Sequence, residues 1–436
     1  MATISASASR EGRSAILDRI FARIDSRRAE LVDLAREMVR VPTVNPPGDA
    51  YAPCAELIGR RLAGRGFAVE YPRAVGTPGD SDRHPRVNVV ARIEGRGPGA
   101  CVHFNGHIDV VEAGRGWTVD PFAGLVRDGK LFGRGTSDMK GGLAAAIIAA
   151  ESILEDGLPW RGAIEISGTA DEETGGFGGV AWLAERGYFS KPRVDHVIIP
   201  EPLNVDRVCL GHRGVWWAEI EMQGRVAHGS MPFLGVSAIR GMAAFLAAVE
   251  AELYPKLDAR RTRMPVEPAG ARVSTLNFNS LHGGLDDSYQ GLPSPLVAES
   301  CRLVLDRRFL LEESLDDVKR EIADLLDRVT AARPGLAWSS RDIMTFHPTM
   351  TEPEAPVVRA LDAAIGRVLG RAPAHIASPG TYDQKHVARI GHLRDCVAYG
   401  PGLLEIAHQP DEFIVIDDMM AAAKVMAAAS LELLGA

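Results

Sequence analysis

Cysteine, positive charge and long apolar runs are all in short supply in this sequence of 436 residues, and each shortage removes a class of function. The five cysteines (Cys54, Cys101, Cys209, Cys301, Cys396) are scattered, odd in number and never spaced C-x-x-C. That argues against a disulfide framework or a thiolate zinc site and fits a reducing compartment. A formal charge of -8 disfavours non-specific nucleic-acid binding and leaves no basic membrane patch. No apolar run approaches transmembrane length. The Ser/Ala-rich stretch Met1 to Arg13 has no apolar core of the kind a signal sequence needs, and reads as a frayed arm before a helix. A cytoplasmic protein with no nucleic-acid or membrane partner is expected. Internal repeats and low-complexity linkers are absent too.

What is present is an ordinary globular composition on a chain longer than one hydrophobic core usually serves, so two domains are expected. Apolar residues from Ile16 to Met38 recur at helical spacing, predicting a helix over Ser14 to Arg40, ended by Pro42, Pro46 and Pro47. Short apolar runs at Val87–Ile93, Ala100–Phe104, Ala163–Thr169 and Val194–Pro200 read as strands. Helical segments such as Met139–Leu154 alternate with them. The pattern predicts an α/β fold: a mixed, mostly parallel sheet flanked by helices. After Gly211 the order becomes β-α-β-β-α-β, which predicts an inserted α+β split-βαβ domain. The expected boundaries are 1–211 and 349–436 for a catalytic metal-binding domain, and 212–348 for a dimerisation or lid domain.

Several imidazoles and acids stand at the ends of the predicted strands. His107 and Asp109 follow an apolar strand, and a metal-ligating imidazole needs an acceptor such as a nearby carboxylate on its second nitrogen. Taken alone, H-x-D is more often a loop histidine beside a solvated acid. Asp138 sits in the glycine-rich stretch Gly133 to Gly142, where it is either a helix-capping acid or a carboxylate able to bridge two cations. Asp171, Glu172 and Glu173 end the strand Ala163–Thr169 and repel one another unless positive charge lies close. Glu201 repeats that position after Val194–Pro200. The carboxyl ends of parallel strands are where open α/β sheets place their ligands.

In combination these segments resemble the metallopeptidase and amidohydrolase family of acetylornithine deacetylase, succinyl-diaminopimelate desuccinylase, aminoacylase and the carboxypeptidase G type of glutamate carboxypeptidase. The resemblance is carried by Gly106-His107-Ile108-Asp109-Val110, Trp117 to Phe122, Gly133 to Gly142, and Asp171-Glu172-Glu173-Thr174-Gly175. Glu201-Pro202, Ala227-His228-Gly229-Ser230-Met231-Pro232, Gly400-Pro401-Gly402 and Ala407-His408-Gln409 complete it. It implies that His107 and Glu201 hold one divalent metal ion and Glu173 and His408 a second, bridged by Asp138. Zinc is the expected ion, with cobalt or manganese also compatible with nitrogen and oxygen donors. Asp109 would orient His107, and Glu172 would be the general base toward a metal-activated water. His228 would stabilise the oxyanion from the partner subunit of a homodimer. The resemblance also assigns Arg308 and Gly380 to substrate binding, with Arg307 and an Arg308–Asp306 ion pair as the competing readings.

Departures from the family pattern cluster near the substrate. Glu112 and Leu311 occupy positions where proline is usual. Leu292-Pro293-Ser294-Pro295 stands where an asparagine is expected. Gly380-Thr381-Tyr382-Asp383-Gln384-Lys385 carries Tyr, Gln and Lys in place of smaller residues or an arginine. The expected activity is hydrolysis of the amide C–N bond of an N-acyl amino acid or similar small carboxylate-bearing amide. The alternative is attack on a different C–N bond, such as an N-carbamoyl group or an activated aromatic amine, with ammonia released. A non-catalytic binding relative would lack a ligand or the base, and all are present.

Overall fold

A computed structural model describes residues 2–157, 160–285 and 295–435, so Leu292, Pro293 and Ser294 lie outside the described residues. The chain divides into two compact units. One comprises Met1–Leu210, Thr351–Ile376 and Tyr382–Ala436; the other comprises Gly211–Met350 and Ala377–Thr381.

The larger unit is built on a sheet whose strands lie in the order Ala68–Glu70, Val89–Glu94, Ala163–Thr169, Cys101–His107, His196–Ile199, Cys396–Ala398, Arg207–His212. The four strands from Ala163–Thr169 to Cys396–Ala398 run parallel, and the flanking pairs are antiparallel. Cys101–His107 and Ala163–Thr169 are buried on both faces, as the unbroken apolar runs predicted for a covered parallel sheet. Their register sets His107 opposite Thr169, so the two strands finish level with one another. The expected mixed α/β sheet is therefore found, with its parallel strands confined to the centre and antiparallel pairings on both sides.

Helix Gly141–Glu155 is rich in Ala and Ile and buried nearly all round. It packs against helices Arg28–Val39 and Ile416–Leu433. Apolar residues on every face leave such a helix no solvent side. At its first turn Gly142 touches the chain that leads to Glu201: a Cβ there would lie 2.0 Å from the Pro200 carbonyl oxygen. Gly142→Ala is expected to destabilise this unit by about 1–3 kcal/mol, because backbone cannot give way as a side-chain tip can. Denaturant titration reads that loss directly.

The single helix expected over Ser14 to Arg40 is two, Ala2–Ser26 and Arg28–Val39. The Ser/Ala-rich beginning is helical rather than frayed, which suits alanine's propensity. At the joint, Arg27 reaches Glu30 at 2.6 Å and also pairs with Glu151, a fully buried acid that Arg61 meets at 2.7 Å. A buried carboxylate needs such partners, and apolar periodicity carries no trace of them.

In the smaller unit four antiparallel strands lie in the order Thr275–Gly283, Ser300–Phe309, Gly214–Gln223, Ala337–Phe346. Alternate residues of the inner strands are buried: Ala218, Ile220, Met222, Leu303 and Leu305 form one core with Phe245, Ile322 and Leu326. The last three come from helices Ala238–Ala248 and Leu315–Ala331. Period-two burial on one face of a sheet and helices on that face alone is the split-βαβ arrangement the sequence predicted. Among the described residues, no helix is long and apolar enough to cross a membrane.

Candidate metal centre

The level strand ends deliver the acids. His107 is the last residue of its strand and is buried. Its Nε2 lies 3.0 Å from Asp138 Oδ1. His408 Nε2 lies 3.3 Å from the other Asp138 oxygen and 3.2 Å from Glu173. Asp138 thus stands between the two imidazoles, one on each oxygen. Donor atoms of His107, Asp138 and Glu173 all fall within 4.8 Å of one another. Glu201 is buried as well, and the charges of Asp138, His107 and Glu172 act on it.

The electrostatics of the group are those of crowded carboxylates. Burial, then the Asp138 charge, pushes the Glu201 carboxyl well above its ordinary range. Burial raises Glu173 to about 7, against the hydrogen bond from His408. Asp138 goes the other way: burial opposes its charge, but the bonds from His107 and His408 hold it well below the usual carboxylate range. The His408 bonds to Asp138 and Glu173 raise that imidazole to about 10. Burial works against a charged His107, yet its bonds to Asp109 and Asp138 raise it well above the ordinary value. Carboxylates this close require positive charge, and the donors are nitrogen and oxygen without thiolate. Such a set fits divalent zinc, cobalt or manganese.

Asp109 is fully buried, and its carboxylate serves the neighbouring loop. Oδ1 accepts the Glu172 N–H at 3.2 Å; Oδ2 accepts the Glu173 N–H at 3.1 Å and Asn45 Nδ2 at 2.9 Å. His107 Nδ1 is 3.0 Å from the Asp109 backbone carbonyl and 3.6 Å from the carboxylate. One aspartate therefore touches both the histidine and the acid pair. The same loop is held from behind, where Asp171 accepts from Tyr51 at 3.0 Å and pairs with Arg86 at 3.0 Å.

Glu412 escaped the sequence reading, yet it organises the Asp138 loop. Its Oε1 accepts three backbone N–H groups, from Gly135 (3.1 Å), Ser137 (2.9 Å) and Asp138 (3.1 Å). Its Oε2 accepts Arg134 Nη1 at 2.6 Å, and Arg134 in turn donates to the His408 carbonyl at 3.2 Å. One buried ion pair thus ties the segments that carry Asp138 and His408. Glu412→Gln is expected to weaken divalent-metal affinity about 10–100-fold, as losing an outer-sphere partner does elsewhere. Calorimetric titration with zinc or cobalt checks it. The only sequence signal is an acid shortly after Ala407-His408-Gln409, which nothing marks as unusual.

The remaining candidates lie elsewhere. Glu172 borders the group, with Oε1 2.7 Å from Lys385 Nζ. His228, Arg308 and Gly380 belong to the smaller unit. His228 is exposed, and its Nδ1 lies 2.7 Å from Ser230 Oγ. Arg308 is bidentate to Asp306 at 2.7 and 3.0 Å, while Arg307 is fully buried against Glu313 at 2.8 Å. The Gly380 N–H donates to Ser378 Oγ at 3.1 Å. His103, inside the same strand as His107, stacks on Phe189 and bonds Ser167 at 2.7 Å.

Comparison with known proteins agrees with this geometry. Residues 103–432 match the model of peptidase family M20/M25/M40. The chain is 31% identical over 395 residues to a succinyl-diaminopimelate desuccinylase of Pseudomonas syringae pv. syringae, covering 89% of this chain and 94% of the relative. Among solved structures, the di-peptidase Dug1p from Saccharomyces cerevisiae superposes with a TM-score of 0.74 at 16% identity, covering 96% of this chain and 99% of that one. A dinuclear metal-binding M20 peptidase from Bacillus subtilis gives 0.68 at 14% identity, covering 94% and 99%. At those identities the structural likeness speaks for the fold, whereas the family match and the desuccinylase alignment extend over most of the chain. This chain belongs to peptidase family M20/M25/M40.

Proposed function

We propose that the protein hydrolyses the amide C–N bond of an N-acyl amino acid or similar small carboxylate-bearing amide. The observation that carries this reading is the contact of His107, Asp138, His408 and Glu173, with Glu172 next in the chain and kept out of it. The name of the P. syringae relative and the family match support it. His107 and Glu201 would hold one divalent ion, Glu173 and His408 another, with Asp138 between them. Such ions lower the pKa of a water and polarise a carbonyl oxygen.

The chain's own residues supply the rest. Glu172 takes the proton from the attacking water and returns it to the leaving nitrogen, which would otherwise depart as a poor amide anion. Asp109 fixes the backbone of Glu172 and Glu173, so base and ligand keep their spacing. His228 would add a donor for the oxyanion from a partner subunit. The exposed apolar side chains Phe233, Leu234, Leu281 and Leu296 of the smaller unit support a homodimer. Arg308 remains the proposed contact to the substrate carboxylate, and Gly380 a proposed substrate-binding residue. All five cysteines are free and buried, which supports a reducing, cytoplasmic setting.

A screen of metal-reconstituted protein on N-acetyl and N-succinyl amino acids, N-carbamoyl amino acids and aryl amines tests the proposal. Amine release from the N-acyl set is expected. Ammonia release confined to the carbamoyl or aryl set would replace it with the other C–N chemistry, and no turnover of any class would sink the enzyme reading.

A further inference from the structure

The segment from Tyr382 to Lys385, singled out in the sequence for unusual residues, is locked in place. Tyr382 Oη donates to Gln384 Oε1 at 2.6 Å, and Gln384 Nε2 donates to the carbonyls of Cys396 (2.6 Å) and Leu210 (3.1 Å). Helix Gln384–Arg389 starts there and meets the acidic loop at two points. Lys385 Nζ donates to Glu172 Oε1 at 2.7 Å, and the imidazole of His386 donates from Nε2 to the Gly175 carbonyl at 2.7 Å. The Lys385 side chain is only 1% exposed, so its ammonium has little water to turn to.

Behind this contact runs a buried polar line. Asp383 accepts from Asn105 Nδ2 at 3.1 Å, Asn105 Oδ1 accepts from Ser167 at 2.7 Å, and Ser167 meets His103. Burial disfavours the Lys385 ammonium, but the negative charges of Glu172 and Asp383 outweigh it and keep the group cationic. A charge-assisted bond from a buried ammonium is strong, and both its ends are anchored here.

We propose that Lys385 is a positioning residue for Glu172: its ammonium occupies Oε1, leaving Oε2 as the single oxygen that takes and returns the proton. This rests on the reading of Glu172 as the base. A free glutamate samples several rotamers, and catalysis by proton transfer is steep in donor–acceptor placement. The lysine itself gains and loses no proton in the cycle.

The test compares K385M, K385R, E172Q and K385M/E172Q on the N-acyl amino acid turned over in the screen, with metal content and thermal melting recorded for each. K385M is expected to lower kcat about 10–100-fold, with KM within about threefold and metal content unchanged. K385R is expected to recover most of that loss. The double variant is expected to be no slower than E172Q by more than about twofold, because the lysine acts only through the glutamate. Wild-type kcat in K385M, a change in KM alone, or losses that multiply in the double variant would each overturn the proposal. If K385M does not fold, K385Q carries the same expectation. An active E172Q would instead overturn the base assignment, which separates the two failures.

Discussion

Glu172→Gln is expected to leave metal stoichiometry intact while lowering kcat about 10²–10⁴-fold, the range a general acid–base group supplies. The substitution keeps the size of the side chain and an oxygen able to accept from Lys385. It also leaves undisturbed the backbone N–H of residue 172 that donates to Asp109. No donor atom of the group around Asp138 belongs to Glu172, so ligation has no reason to suffer. What disappears is an oxygen that can bind and release a proton. Metal analysis beside steady-state kinetics decides the matter: unchanged turnover removes Glu172 as the base, and lost metal gives it a structural place in the site instead.

Adding zinc, cobalt or manganese to metal-free protein at pH 7 is expected to release about two protons or more, since ligands must bind deprotonated. His408 is raised from 6.5 to about 10, His107 is raised as well, and Glu173 is raised from 4.5 to about 7. Groups raised on folding hold protons more tightly in the folded chain. Their stabilisation is complete below the unfolded value and is lost as pH climbs through the folded one. For Glu173 that window is 4.5 to about 7, and for His408 it is 6.5 to about 10. Metal-free protein is therefore expected to weaken across both windows, and metal-loaded protein to strengthen. Asp138, lowered on folding, acts oppositely: its contribution is present above 3.8 and fades as acid protonates it. Calorimetry in buffers of different ionisation enthalpy measures the release. Heats independent of buffer would contradict it.

The parts legible from sequence are those with a period or a motif. The run Ala163–Thr169 gives a strand with those very ends, because an apolar stretch stopped by acids has few other solutions. The helix Leu315–Ala331 shows its stripe plainly and begins at a Ser314 cap bonded to the Asp317 N–H. His107, Asp138, Glu173 and His408 announce themselves through glycine-rich or acid-rich surroundings. Glu412 does not, and Lys385 shows only as a departure from the family pattern, with no hint of its partner. Each acts across more than two hundred residues, through polar contacts that leave no periodicity behind. The break at Arg27 was hidden for the same reason, since apolar spacing continues across it and the ion pairs of Arg27 with Glu30 and Glu151 leave no pattern. Long-range polar pairing is thus where local pattern stops informing.

The strand Cys396–Ala398 lies between His196–Ile199 and Arg207–His212, two strands made nearly two hundred residues earlier. During synthesis the sheet must therefore keep a slot open while the smaller unit, almost one continuous stretch, is made. Until that late strand enters, the nascent chain holds His107, Asp138, Glu173 and Glu201 without His408 or the Glu412 clamp. An ion meeting such a chain would find only part of the proposed cage, and tight capture would wait for His408 and the Glu412 clamp to arrive.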